Sequence, residues 1–131
     1  RGFTAGTTLA IKAAVLGQTY QIGFGGEANV EYAEDVARCF VACALESPEG
    51  ALSYNMLGEI LTVNKMIRVI EEIMPHAKGK ITCIEQENKM ANHVSDAGLQ
   101  DLIGPFHPVN YREGVKRTRD LFEKLRMEGR L

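Results

Sequence analysis

The sequence predicts an α/β or α+β domain in which helices alternate with short strands. Three observations carry this. Tyr20-Gln21-Ile22-Gly23-Phe24 alternates as a strand does, Gly25-Gly26 supplies residues free to take positive φ, and Ala28 to Tyr32 runs extended again. That pattern predicts a hairpin-like reversal. Glu34-Asp35 then opens a helix in which Val36, Cys39, Phe40 and Cys43 recur at i, i+3, i+4 and i+7. This helix is apolar nearly all round, so it is expected to be buried. The third observation is the stripe Val63, Met66, Ile67, Ile70, Ile73 and Met74, which faces away from Asn64, Lys65, Arg68, Glu71 and Glu72 and marks an amphipathic helix.

The remaining elements follow in chain order. Thr7 or Thr8 is placed to cap a first helix with Leu9, Ala10, Ala13, Ala14 and Leu16 on its apolar side, and Gly17 sits where a left-handed stop is needed. Ser47-Pro48-Glu49-Gly50 is a turn cluster. Leu52, Tyr54 and Met56 alternate as a strand that breaks at Gly58-Glu59, and Thr62 caps the amphipathic helix that Pro75 closes. A further strand is expected at Lys80 to Ile84, then a polar loop from Glu85 to Asn92. Ser95 or Asp96 starts a short helix with Leu99, Leu102 and Ile103 inward, stopped by Gly104-Pro105. The last helix, about Arg112 to Met127, turns Val115, Thr118, Phe122 and Leu125 to one side.

A chain of 131 residues fits a single domain, 1–131, large enough to bury a core. The formal charge is −2 and Lys and Arg are dispersed, so neither nucleic acid nor an acidic membrane surface is the expected partner. No apolar run approaches the roughly 20 residues that span a bilayer, and no signal or lipidation motif occurs, which reads as cytoplasmic. Cys39, Cys43 and Cys83 are odd in number and lack neighbouring ligands, so core packing is expected of them and no metal site. The chain opens on Arg1-Gly2-Phe3 without an initiator Met, which reads as a processed chain or a piece of something longer.

Residues for catalysis are hard to find. The group Gly23, Gly25, Gly26 lies between two predicted strands and not before a helix, so it is turn chemistry and no phosphate cradle. His76, His93 and His107 all fall in connections, where solvation is the ordinary role; His93, in the polar stretch before Asp96, is the one of interest. Glu27, Glu31, Glu34 and Asp35 cluster around the reversal and the helix start. Acid–base work would need two of them facing one cavity with separated pKa values, and capping with solvent exposure is the simpler account.

The order of these pieces resembles the C-terminal, substrate-binding portion of the extended short-chain dehydrogenases/reductases, the NAD-dependent epimerase/dehydratase family. Ala28-Asn29-Val30-Glu31-Tyr32-Ala33-Glu34-Asp35-Val36-Ala37 is similar to the Arg-Asp-Tyr-x-His-Val-x-Asp-Val-Ala signature. The stretch Ser53-Tyr54-Asn55-Met56 with Gly58 and Thr62 is similar to the Tyr-Asn-x-Gly strand and its capped helix. Asp96, Leu99, Leu102-Ile103-Gly104, Pro108, Glu113-Gly114-Val115 and Thr118 follow the family's ending. The likeness covers essentially the whole chain. It implies the C-terminal lobe of a Rossmann-type enzyme whose preceding nucleotide-binding half carries the glycine fingerprint, the Tyr-x-x-x-Lys pair and the NAD or NADP site. None of those motifs is in this sequence, so catalysis and cofactor binding by this chain alone are not expected.

What the resemblance leaves to this chain is the lid over a small-molecule substrate. By position Phe3, Thr4, Thr7 and Thr8 match the segment lining the substrate pocket, and Tyr32 matches the signature's aromatic or His position. The alternatives are helix capping for the threonines and core packing for Tyr32. The signature Arg falls on Ala28 and a second family Arg falls on Gln86, removing two bidentate phosphate contacts. A sugar, polyol or ketone without a diphosphate is therefore the expected substrate, for an epimerase, dehydratase or reductase. A stand-alone binding or interaction module derived from the lobe is the other reading. Elements that would pack on a Rossmann sheet leave apolar surface bare, so self-association or packing on that domain is expected.

Overall fold

A computed structural model describes residues 5–46, 49–87 and 89–131; the turn at Ser47-Pro48 lies outside them. In chain order the elements are α1 (Gly6–Val15), β1 (Tyr20–Ile22), β2 (Glu27–Val30), α2 (Ala33–Glu46), β3 (Glu59–Thr62), α3 (Val63–Ile73), β4 (Ile81–Cys83), α4 (Ala97–Ile103) and α5 (Tyr111–Met127), with a 3-10 turn at Pro75–Ala77 between α3 and β4.

The core is shared by α1, α3, α5 and the parallel pair β1–β4. Ile22, Met66, Ile70, Met74, Val63 and Val115 are almost wholly removed from water there, and Ala10 and Ala14 of α1 are fully enclosed. Burial of each large side chain contributes about 1.5–3 kcal/mol. On α3 the buried residues are Val63, Met66, Ile67 and Ile70, as the stripe predicted, and Thr62 caps it by accepting from the Lys65 amide at 3.2 Å. Asn110 does the same for α5, accepting from the Glu113 amide at 2.9 Å. The C-terminal end of α1 is closed by three basic side chains: Arg126 donates to the Val15 carbonyl at 2.9 Å, Lys80 donates to the Gly17 carbonyl at 3.1 Å, and the His76 ring lies 2.9 Å from the Ala14 carbonyl. Cations at this end complement the helix dipole. Gly17 follows at φ +69, the predicted stop.

Four expectations are corrected. β1 and β2 form no hairpin: β1 pairs in parallel with β4, whereas β2 pairs antiparallel with β3 in a second two-stranded sheet. The Gly25 amide donates to the Gln86 carbonyl at 2.7 Å, and Gly26 at φ +70 carries the chain from one sheet to the other. A side chain at Gly25 would meet the Ile84 carbonyl at 2.5 Å, so this crossing needs glycine. Leu52, Tyr54 and Met56 are not a strand, because no other segment among the described residues offers that stretch a ladder; the strand begins where a break was expected, at Glu59. The third correction is α2. Only Asp35 and Cys39 are buried on it, while Phe40 is 74% exposed, Val41 61% and Leu45 78%. It packs on the short α4, outside the main core. Finally, Thr7 and Thr8 are not N-caps: α1 starts at Gly6 after Ala5, with no side-chain cap.

Candidate functional site

The N-terminal turn of α1, the strand β2 with the residues that follow it, and one face of α5 enclose a cleft of about 600 Å³. Its apolar lining includes Ile11, Phe24, Ala28, Val115 and Phe122, all drawn from the core or its border. Its polar lining is amides, hydroxyls and two carboxylates: Asn29, Asn55, Asn92 and Asn110, then Thr7, Thr8 and Thr118, then Glu31 and Glu34. No Lys, Arg or His borders it among the described residues.

Asn29 organises one wall. Its amide nitrogen donates to Glu31 Oε1 at 2.8 Å and to the Met56 carbonyl at 3.2 Å, and its Oδ1 accepts from the Gly58 amide at 2.8 Å. The irregular segment before β3 is thereby fastened to β2. Asn92 fastens the polar loop to the same strand, accepting from the Asn29 amide at 3.2 Å and donating to the Glu27 carbonyl at 2.8 Å. Beside it His93 Nε2 lies 3.1 Å from Glu27 Oε2, an exposed pair that adds little to stability. The Glu31 carboxyl is held above the usual glutamate range, because the wall beside it displaces water, an effect its own backbone amide partly offsets.

Tyr32 closes the other side. Its carbonyl accepts from the Asp35 and Val36 amides and so starts α2, while its ring lies 3.4 Å from where a side chain at Gly114 would begin. The Arg117 guanidinium stands 5.7 Å from the ring centre and is tethered to Glu113 at 2.9 Å. Below this sits Asp35, fully buried, against the expectation of an exposed or merely capping carboxylate. It pairs with Arg38 and accepts from the Val109 amide at 2.6 Å. One carboxylate thus ties the start of α2 to the loop that delivers α5.

Of the residues singled out by sequence, Thr7, Thr8 and Tyr32 border this one cleft; Phe3 and Thr4 lie outside the described residues. The asparagines and Tyr111 were missed. Asparagine carries no periodic signal, and it is the β2–β3 register, Asn29 opposite Ile60, that brings the segment holding Asn55 to Asn29.

Gly25 and Gly58, the two tightest glycine positions among the described residues, do not form a dinucleotide cradle. A side chain at Gly58 would strike the Val30 carbonyl at 2.1 Å and one at Gly25 the Ile84 carbonyl, so both close approaches are made by this chain's backbone. Among the described residues no group of His, Cys, Asp and Glu could hold a metal ion, and Cys39, Cys43 and Cys83 are free. Cys39 is buried as expected, with its thiol pushed above the ordinary range by burial and by neighbouring Cys43 and Asp35; Cys43 is half-buried.

This is an α/β fold, as the motifs implied, and it is found within a sugar epimerase and an NAD-dependent dehydratase. Two solved structures share it. UDP-N-acetylglucosamine 4-epimerase from Bacillus cereus aligns with a TM-score of 0.66 and 17% identity over 89% of this chain and 39% of its own. The NAD-dependent NDP-hexosamine 5,6-dehydratase TunA, involved in tunicamycin biosynthesis, aligns with a TM-score of 0.73 and 17% identity over 95% of this chain and 42% of its own. The chain therefore spans about two-fifths of each. No family model and no curated protein matches the sequence. No helix among the described residues is long and apolar enough to cross a membrane.

Proposed function

We propose that this chain is the substrate-binding part of an NAD(P)-dependent enzyme, an epimerase, dehydratase or reductase acting on a sugar or polyol, and that the 600 Å³ cleft holds that substrate. The observation that carries the reading is convergence: Thr7 and Thr8 on α1 and Tyr32 after β2, assigned to substrate by motif position alone, border one cleft. Its size suits a small molecule, and apolar lining with a few polar groups is the usual make-up of such sites.

The lining also speaks to the substrate. A diphosphate needs arginine or lysine, yet Ala28 stands where the signature has Arg, and among the described residues the charged groups bordering the cleft are Glu31 and Glu34. Amides and hydroxyls suit a neutral polyhydroxylated ligand, whose oxygens both donate and accept. The two neighbours are named for nucleotide-diphosphate hexosamines; their sugar part supports a sugar here, while the diphosphate is the part that this lining does not match. In this reading a nucleotide-binding domain supplies NAD or NADP and the catalytic groups, and packs on the bare face of α2. The enzyme works in the cytoplasm, where its free cysteines stay reduced.

The test is an NMR titration of the isotopically labelled chain with N-acetylglucosamine, sorbitol and glucose 1-phosphate. The neutral probes are expected to shift Thr7, Thr8 and Tyr32 together, the phosphate to bind more weakly, and Tyr32→Ala to weaken the neutral probes several-fold. Shifts that are absent, or scattered away from the cleft, would sink the proposal.

A further inference from the structure

Tyr111 is the first residue of α5, and its backbone amide donates to Glu59 Oε2 at 2.7 Å. Tyr111 is among the residues lining both the cleft and a second cavity of about 410 Å³ between α3 and α5. The hydroxyl is closed off from solvent and has no hydrogen-bond partner among the described residues. A buried hydroxyl left unpaired is costly, and such groups are few in native proteins. Phenylalanine would fill the same space without that cost. The hydroxyl therefore calls for an occupant that the described residues do not provide.

We infer that the Tyr111 hydroxyl is a ligand contact, donating a hydrogen bond to an uncharged oxygen of the molecule that fills the cleft. Three features define the chemistry. Burial raises the Tyr111 pKa far above the ordinary phenol range, so the group stays protonated and acts as a donor, not as a base. The same loss of water penalises a charged partner, and among the described residues no Lys or Arg borders the cleft to offset one. A hydroxyl, ether or carbonyl oxygen meets the requirement. The hydroxyl is sealed in the free chain, so the contact requires the cleft lining to move when the ligand binds.

The inference rests on the proposed role of the cleft, and Tyr111→Phe separates the two. With N-acetylglucosamine as probe, the substitution is expected to raise the melting temperature of the free chain by about 3 °C or more, because an unsatisfied group is removed. It is expected at the same time to weaken the probe about tenfold. Higher stability with unchanged binding would overturn the inference and leave the cleft reading standing. A less stable variant would also overturn it, by showing that the hydroxyl has a structural partner. If the wild-type chain shows no response to the probe at Thr7, Thr8 and Tyr32, the cleft reading falls, and this inference with it.

Discussion

Asp35→Ala is the perturbation whose outcome the structure defines most sharply. The carboxylate has no exposure to water, pairs with Arg38, and accepts from the Val109 amide at 2.6 Å. Hydrogen bonds to a charged group contribute about 1.5–3 kcal/mol each. Arg38 is 55% exposed and returns to solvent when its partner goes, so that half of the loss is small. The Val109 amide loses its acceptor, at a cost of about 1–3 kcal/mol, and the emptied space adds a cavity term. The sum is about 3 kcal/mol, a large part of the roughly 5–15 kcal/mol that stabilises a typical domain. Urea unfolding followed by circular dichroism reads it, with Glu34→Ala as the exposed control, expected within about 0.5 kcal/mol of wild type. Loss should also appear as faster amide exchange at Val109 and in the first turn of α5. If Asp35→Ala unfolds within about 0.5 kcal/mol of wild type, the carboxylate does not anchor that loop and the account of the site's framework is wrong.

Two further predictions concern the cleft and the bare face of α2. The Glu31 pKa is raised on folding, so the stability this group contributes is full below the unfolded glutamate pKa and is lost as pH rises through the folded value. Glu31→Gln, which keeps an acceptor for Asn29, should therefore melt higher than wild type at pH 7, with the difference vanishing in acid; thermal melts across pH check this, and a gap that widens in acid would reverse the sign. Phe40, Val41 and Leu45 are large apolar side chains left exposed on α2, so the chain alone is expected to self-associate at high concentration and Phe40→Ser with Leu45→Ser to return it to a monomer. Sedimentation velocity decides between these states, and a wild-type monomer at high concentration would refute the assignment of that face to an interface.

How far the sequence carried depended on the range of the interactions involved. α3, α5 and β4 were legible because each signal is local: the stripe from Val63 to Ile70, the cap at Thr62, the bounded run at Ile81. The pairing of β1 was not. An alternating strand beside two glycines is compatible with a hairpin or with a crossover, and the choice lies with Ile81–Cys83, some sixty residues away. The burial of α2 was misread for a related reason. An apolar helix states that it needs a cover, and it does not state whether this chain supplies one. Tyr54 and Met56 show the same limit, since alternation without a ladder partner leaves an extended segment and no strand.

The sequence by itself determined where α1, α3, α4 and α5 lie, the cap at Thr62 and the stop at Gly17. These rest on contacts spanning a few residues or on ordered short patterns. Tertiary structure alone decided that Asn29 and Asn92 build the cleft wall, that Asp35 is buried as the tie between α2 and α5, and that the Tyr111 hydroxyl is left without a partner among the described residues. Each depends on where side chains from distant segments come to rest, and hydrogen bonds between residues more than sixty positions apart leave no trace in local pattern.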